Sequence, residues 1–212
     1  MDYKLSFPRH VKKAIDIFQK IKDKINLMIW IADARSPFIT SKYLFSFLNK
    51  IYFQKNIIIF VNKMDCVDNF NKKDFENFIF QRIYESGKSG SSFHIEYGSI
   101  RNCKNLERLL KNLVKKELFL NCIVLGLPNV GKSSIINCLC RKKKAEVADI
   151  PGSTRNLKWI SLEYNIKILD SPGIVLPEKI EENELIELLR LSILNYSFVN
   201  VPKEKIKNIQ EY

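Results

Sequence analysis

The chain has 212 residues, of which 46% are hydrophobic, so it fits one α/β domain with a substantial core rather than a disordered segment. The longest apolar runs, Leu27–Ala32 and Ile57–Val61, are far too short to span a bilayer, and the basic, amphipathic start lacks the pattern of a secretory signal peptide. The net charge of +12 is concentrated in residues 1–169, which carry 30 Lys and Arg against 15 Asp and Glu. A polyanionic partner such as RNA and a solvated, lysine-rich surface explain that charge about equally well.

Hydrophobic periodicity predicts strands that alternate with helices. In chain order we predict a helix from Val11, a strand at Ile25–Ile31, a helix at Ser41–Ile51, a strand at Asn56–Val61, a helix at Phe75–Ile83, a strand at Ser92–Tyr97, a helix at Leu106–Val114, a strand at Leu120–Leu125, a helix at Ser134–Leu139, two strands at Trp159–Tyr164 and Ile166–Leu169 around a tight turn near Asn165, and a helix at Glu182–Ser197. Pro37 is expected to end regular structure before the second helix. This order predicts an α/β fold with a mostly parallel sheet, helices on both faces and ligands at the carboxyl ends of the strands.

The cysteines show no framework of spacings. They are odd in number and lie at Cys66, Cys103, Cys122, Cys138 and Cys140. We expect all five to be reduced thiols. We expect no metal site formed by cysteines, because Cys138 and Cys140 are two apart on a predicted helix and face different sides, and no second pair accompanies them.

The segment Gly126–Ser134 fits the pattern Gly-x-x-x-x-Gly-Lys-Ser between a predicted strand and a predicted helix. A glycine-rich turn in that position lets backbone N–H groups wrap a diphosphate at a helix N-terminus. Lys132 would reach the terminal phosphates as a catalytic group, and Ser133 would ligate Mg²⁺. The remaining predicted phosphate-loop contacts are Asn129, Val130, Gly131 and Ser134. The alternative is a chance glycine turn, which the correct flanking elements disfavour.

A second string, Asn62-Lys-Met-Asp65, follows an apolar strand and fits Asn-Lys-x-Asp. A carboxylate at Asp65 accepts from the ring N–H and the exocyclic amine of guanine, donors that adenine lacks there, so the string favours GTP over ATP. Asn62 would read the other base edge or tie this loop to the P-loop, and the stem of Lys63 would cover the ring. Ser99-Ile100 would brace the base through backbone groups. A polar loop between strand and helix is the alternative.

A third string, Asp170-Ser-Pro-Gly173, follows the last predicted strand. Asp170 would lie near Mg²⁺, and the N–H of Gly173 near the γ-phosphate. Thr154 lies in the loop between the P-loop and Asp170, where its hydroxyl would complete the metal shell; a solvent-exposed threonine is the alternative.

The order of these strings differs from that of an ordinary GTPase, because the base-binding strings come before the P-loop. The chain therefore resembles the circularly permuted GTPases of the YlqF/YawG group. Phe7-Pro8-Arg9-His10 before a basic helix, Asp33-Ala-Arg-Ser-Pro37 and the P-loop string look like those of the ribosome-biogenesis GTPase A family. The resemblance covers roughly residues 5–195. It implies a P-loop GTPase fold with permuted motifs over residues 1–200, with an amphipathic helix within 5–24, then a polar tail at 201–212 in place of the family's C-terminal helical RNA-binding domain.

The same resemblance implies a function and its cofactors. The family's members assemble the large ribosomal subunit, binding its rRNA and hydrolysing GTP with Mg²⁺. Ile174 occupies the place of the catalytic glutamine, so we expect slow hydrolysis alone. Asn129 matches an asparagine that helps to hold an activating K⁺, and His10 matches a histidine proposed to assist hydrolysis on the ribosome. From the residues alone, a capping or surface role for His10 is equally good.

We therefore expect a monomeric, cytoplasmic GTPase without an integral membrane segment; a mitochondrion or plastid is the alternative location. Lys12, Lys13 and residues 141–144 are candidates for phosphate contacts to RNA, with solvated charge as the equal alternative. A second hypothesis is a non-catalytic, GTP-regulated rRNA-binding module.

Overall fold

The computed structural model of the chain describes residues 2–4, 18–51, 53–87, 90–140, 146–149, 158–170 and 179–194. Helical residues 18–21 open the core and are followed by helices α1 to α5, at Pro37–Lys50, Lys72–Glu85, Lys104–Glu117, Lys132–Cys140 and Glu182–Arg190. Strands β1 to β9 lie at Asp2–Lys4, Leu27–Asp33, Asn56–Asn62, Phe93–Tyr97, Leu120–Leu125, Glu146–Asp149, Lys158–Leu162, Ile166–Asp170 and Lys179–Glu181.

Seven of these strands form one sheet in the order β4-β3-β2-β5-β8-β7-β6. Strands β4, β3, β2, β5 and β8 run parallel to one another. At the edge of the sheet beyond them, β7 is antiparallel to β8 and β6 is antiparallel to β7. Strands β1 and β9 pair separately, antiparallel to each other. The predicted mostly parallel sheet is confirmed.

The helices cover both faces of the sheet. From β2 the chain moves through β3 to β4, and then it returns past β3 and β2 to β5 on the other side. Because crossovers between parallel strands are right-handed, helices α1 and α2 lie on one face of the sheet, and α3 and α4 lie on the other. Contacts agree with this arrangement. Phe38 of α1 packs edge-on against Phe75 and Phe78 of α2, with ring centroids 5.9 and 5.2 Å apart.

The central strands form the core because they are apolar on both faces. All seven residues of β2 are buried, and so are six of the seven in β3, which explains their continuous apolar runs. The largest buried side chain, Trp30, keeps its indole N–H satisfied by donating to the carbonyl of Thr40, 3.0 Å away.

Two of the predicted boundaries that are wrong have a clear physical cause. Pro37 does not end regular structure, because it is the first residue of α1, where its missing N–H costs no helical hydrogen bond. Helix α5 ends at Arg190 rather than Ser197, because Ser192 adopts a left-handed φ of 54°. The N–H groups of Ser192 and Ile193 then bond back to the carbonyls of Leu189 and Leu188, which closes the helix end. Residues 11–17 of the first predicted helix and the 201–212 tail lie outside the described residues.

The expectation of five reduced thiols is wrong for one pair. Cys103, at the start of α3, and Cys138, in α4, form a disulfide with Cα atoms 6.5 Å apart. Spacing in the sequence could not show this, because the fold brings two helices of one face together across 35 residues. The thiols of Cys66, Cys122 and Cys140 are free, and burial raises the pKa of Cys122.

Within the described residues, no helix is long and apolar enough to cross a membrane.

We expect the disulfide to stabilise the domain. In the loop-entropy description, a cross-link that closes a loop of 35 residues lowers the conformational entropy of the unfolded chain. This raises the free energy of unfolding by about 3–4 kcal/mol. Urea unfolding with and without reductant measures the difference. The double variant Cys103→Ser, Cys138→Ser is the control and should not respond to reductant. An unchanged midpoint for the unmodified chain would show that these thiols are free in solution.

Candidate nucleotide site

The predicted site residues gather where the strand order reverses. From β2 the chain runs through β3 to β4 on one side of the sheet, and from β5 it runs to β6 on the other side. The strand order therefore reverses between the neighbouring strands β2 and β5, which is where open α/β sheets bind ligands. The P-loop follows β5, the base-binding string ends β3, and Asp170 ends β8. Motifs far apart in the sequence are therefore neighbours at the carboxyl ends of the parallel strands.

The P-loop approaches its neighbours so closely that two positions require glycine. Gly126 has a φ of 148°, and a Cβ there would lie 2.6 Å from the carbonyl oxygen of Ile31. Gly131 has a φ of 99°, and a Cβ there would collide with Nδ2 of Asn62. The second contact shows that the P-loop backbone rests directly on the base-binding string.

Lys132 begins α4 and is buried at 7% exposure. Its Nζ donates to the carbonyl of Leu127, 2.7 Å away. Burial lowers the pKa of Lys132 to about 8, and the nearby carboxylate of Asp170 opposes that shift. The side chains of Ser133 and Ser134 are exposed beside it, at the start of the same helix. A cation and a helix N-terminus together form a site for phosphate.

The base-binding loop is tied to the P-loop by two side chains. Nδ2 of Asn62 donates to the carbonyl of Val130 at 2.8 Å, and Nζ of Lys63 donates to the carbonyl of Asn129 at 2.9 Å. Lys63 itself has a left-handed φ of 64°. Oδ1 of Asn62 is buried and has no hydrogen-bond partner among the described residues, so this acceptor is left open to a donor from a ligand.

The second predicted base contact lies beside the first. The N–H of Met64 donates to the carbonyl of Gly98 at 3.1 Å, which joins the loop of Ser99 and Ile100 to the base-binding string. Ser99 is buried and Ile100 is 44% exposed. Sequence reasoning missed Arg101 in this loop, whose Nε lies 3.7 Å from Oδ2 of Asp65. Both side chains reach solvent, so this ion pair leaves the carboxylate accessible to a base.

Asp33 and Arg35, which had no role in the predicted site, form a polar pair next to the base-binding string. The carboxylate of Asp33 is fully buried and accepts hydrogen bonds from Arg35 and Lys63. Burial by itself would raise the pKa of Asp33, but these bonds outweigh it and hold the pKa below its ordinary value. The signal in the sequence that could have indicated this pair was the string Asp33-Ala-Arg-Ser-Pro37, which resembles that of the family.

The described metal candidates fit Mg²⁺. Oγ of Ser133 donates to Oδ2 of Asp170 at 2.8 Å, and Oδ1 of Asp170 is buried without a partner among the described residues. A hydroxyl next to a carboxylate with an unsatisfied oxygen is the donor set that Mg²⁺ prefers. Thr154, Gly173 and His10 lie outside the described residues.

Asn129 is fixed in orientation by its neighbour. Its Nδ2 donates to the carbonyl of Ser192 at 2.9 Å. Because a carbonyl only accepts, the amide nitrogen must face Ser192, and Oδ1 is the atom left for a cation such as K⁺.

A parallel sheet with a P-loop at its switch point, docked on a guanine-type string that precedes it in the chain, defines a circularly permuted P-loop GTPase domain. Comparisons with known proteins agree. Residues 121–211 match the family model described as 50S ribosome-binding GTPase. Ribosome biogenesis GTPase A of Thermotoga maritima is 34% identical over 188 residues, which cover 89% of this chain and 65% of that protein. Probable ribosome biogenesis GTPase A of Mycoplasma genitalium is 31% identical over 207 residues, covering 97% and 70%.

Among solved structures, that of GNP-bound YlqF from Thermotoga maritima is similar with a TM-score of 0.54 and 28% identity, covering 92% of this chain and 72% of that one. The chain belongs to the ribosome biogenesis GTPase A family. It spans 65% to 70% of the length of the two curated relatives above.

We expect nucleotide affinity to fall as the pH rises through the pKa of Lys132. Phosphate groups bind the ammonium form, and a pKa of about 8 in the free protein makes GDP binding about tenfold weaker at pH 9 than at pH 7. Calorimetric titration from pH 6.5 to 9.5 measures this. The variant Lys132→Met should bind weakly with a flat profile, apart from ionisation of the base, which affects both proteins. Equal profiles would show that Lys132 is not the titrating group.

We expect Gly131→Ala to weaken GDP binding at least tenfold, because the added methyl separates the P-loop from Asn62 and also strains the backbone. Gly87→Ala is the matched control, since Gly87 also has a positive φ, 63°, but open space around its Cβ position. Both variants place an alanine at a positive φ, and only Gly131→Ala should lose GDP affinity. Equal GDP affinities in the two variants would show that a Cβ at position 131 does not collide with Asn62.

Proposed function

We propose that this chain binds and hydrolyses GTP as an assembly factor for the large ribosomal subunit. The observation that carries the proposal is the docking of the base-binding string on the P-loop, through the Asn62–Val130 and Lys63–Asn129 hydrogen bonds. Two curated relatives are named as ribosome biogenesis GTPases, and the matching family model as a ribosome-binding GTPase.

The proposed roles follow the geometry. Asp65 selects guanine through its carboxylate, and the unpartnered Oδ1 of Asn62 is available to the base or to a loop group. The ammonium of Lys132 leaves the carbonyl of Leu127 for the terminal phosphates. Backbone N–H groups from Val130 to Ser134 surround the diphosphate. Thr154 and Gly173 act at the γ-phosphate.

Two cations complete the proposed chemistry. Ser133 and Asp170 hold Mg²⁺, directly or through water, and when bound it neutralises charge on the phosphates. Oδ1 of Asn129 would contribute to a K⁺ site, because the bond from Nδ2 to the carbonyl of Ser192 holds the amide in place. Since Ile174 cannot orient water, turnover by the chain alone is slow. A K⁺ held by Asn129 would supply positive charge that speeds hydrolysis, and His10 would assist hydrolysis on the ribosome.

The proposed partners match the chain's charge. A net charge of +12 favours association with rRNA by releasing counterions, with Lys12, Lys13 and residues 141–144 as phosphate contacts. We propose a cytoplasmic monomer.

Hydrolysis tests the enzymatic part. We expect phosphate release from GTP to be several-fold faster in KCl than in NaCl at equal ionic strength, and faster again with large ribosomal subunits. The variant Asn129→Ala should lose the difference between the salts. Turnover that ignores K⁺ even with subunits present would favour the alternative, a non-catalytic rRNA-binding module, for which Ile174 is the supporting residue.

Co-sedimentation tests the ribosomal part. We expect the chain to pellet with large subunits more strongly with a non-hydrolysable GTP analogue than with GDP or no nucleotide. The variant Asp65→Ala, impaired in guanine binding, is the control and should show no nucleotide dependence. Absence of the chain from the pellet in every state would remove the ribosomal role and leave the GTPase site.

A further inference from the structure

Asp33 and Arg35 form a pair under the nucleotide site that the roles above do not use. Asp33 is the last residue of β2, the strand between β3 and β5. Its Oδ1 accepts from the backbone N–H and Nε of Arg35, at 3.1 and 2.9 Å. Its Oδ2 accepts from Nη2 of Arg35 and Nζ of Lys63, both at 2.7 Å. A fully buried carboxylate is thus satisfied by one forked guanidinium and one ammonium.

The donors of this pair also reach two other parts of the domain. Nζ of Lys63 donates to the carbonyl of Asn129 in the P-loop. Nη2 of Arg35 donates to the carbonyl of Leu191 at 3.2 Å, just beyond the end of α5. Nδ2 of Asn129 donates to the carbonyl of Ser192, the next residue. These contacts form a closed polar ring that joins the base-binding loop, the P-loop and the end of α5.

The end of α5 is built to be held by this ring. The N–H groups of Ile193 and Leu194 bond back to the carbonyl of Leu188, so the chain turns away from the helix axis. The carbonyls of Leu191 and Ser192 then serve as acceptors for Arg35 and Asn129. A cavity of about 390 Å³ lies between Arg35 and the polar side of α5, lined also by Asn183, Ile186, Glu187 and Arg190. The last turn of α5 therefore meets Arg35 through polar contacts beside open space.

We propose that Asp33 and Arg35 are positioning residues, the Asp33–Arg35 clamp, which couples nucleotide binding to the position of the carboxyl end of α5. Moving that end away removes an acceptor from Arg35 and one from Asn129. A nucleotide that orders Lys63 and Asn129 favours the closed ring, and by linkage a held α5 strengthens nucleotide binding. The inference rests on the proposed function only in taking GDP or GTP as the ligand.

The chemistry of the two side chains makes the clamp selective for arginine. Arg35 fills both oxygens of Asp33 and reaches Leu191 at the same time, because its donors are arranged as a planar fork. A lysine supplies the charge that Asp33 needs but presents a single nitrogen at one place. Arg35→Lys therefore separates the neutralisation of Asp33 from the bridge to α5.

The experiment compares the full chain with Arg35→Lys and Arg35→Ala. GDP affinity is measured by calorimetry, and amide hydrogen exchange is measured over residues 188–194 with and without GDP. In the unmodified chain we expect GDP to slow exchange at Ser192, Ile193 and Leu194. We expect Arg35→Ala to weaken GDP binding roughly tenfold and to abolish that slowing. We expect Arg35→Lys also to abolish the slowing but to weaken GDP binding by only about threefold, because it loses the bridge to α5 while a positive charge still neutralises Asp33.

Matched variants separate the clamp from general destabilisation. Arg82→Ala removes an exposed ion pair to Glu85 on α2, and Lys42→Ala removes the pair from α1 to Glu184 of α5. Neither should change the response to GDP, although the second loosens α5. The clamp would be overturned if GDP slowed amide exchange at residues 192–194 of Arg35→Ala as much as in the unmodified chain, whether or not the variant binds GDP more weakly. An unmodified chain that fails to bind GDP would instead overturn the proposed function; ribosomes take no part in this test.

Discussion

The close approach of the P-loop to the base-binding loop is the contact on which the site depends. It exists because β3, β2 and β5 are adjacent, so that their carboxyl ends present Asn62, Asp33 and the P-loop side by side. Gly131 makes the approach possible, and the amide of Asn62 bonds across it. The two loops, whose bonded residues are 66 and 68 positions apart in the sequence, thereby act as one surface for a nucleotide.

This arrangement explains why a permuted order of motifs gives the same kind of site. A parallel sheet gathers the carboxyl ends of its strands at one edge, whatever their order in the chain. In this chain the base-binding strands β3 and β4 come first and lie on one side of β2, while the P-loop strand β5 lies on the other. Strand β2 therefore lies inside the sheet, between the base-binding strands and the P-loop strand, although it comes early in the chain. That position lets Asp33 accept a hydrogen bond from Lys63, which follows β3, and reach the end of α5 through Arg35.

The parts of the fold that sequence reasoning predicted are those determined locally. The strands at Asn56 and Leu120 are continuous apolar runs, and they were predicted with at most one residue of error. Helix boundaries were less accurate where two local rules compete. Pro37 both breaks a helix and starts one, and its place at the first turn decides between them. The end of α5 was missed because Ser192, without a glycine to mark it, takes a left-handed conformation.

The sequence by itself determined the class of protein, because a P-loop, a guanine string and a magnesium string each require particular residues at particular spacings, and their order shows the permutation. Only the tertiary structure decided which long-range pairs form. The Cys103–Cys138 disulfide, the Arg101–Asp65 ion pair and the ring through Asp33 and Arg35 depend on how helices and strands pack. Such pairs have no repeating pattern in the sequence that would predict them. Each joins two elements that become neighbours only through the strand order of the sheet.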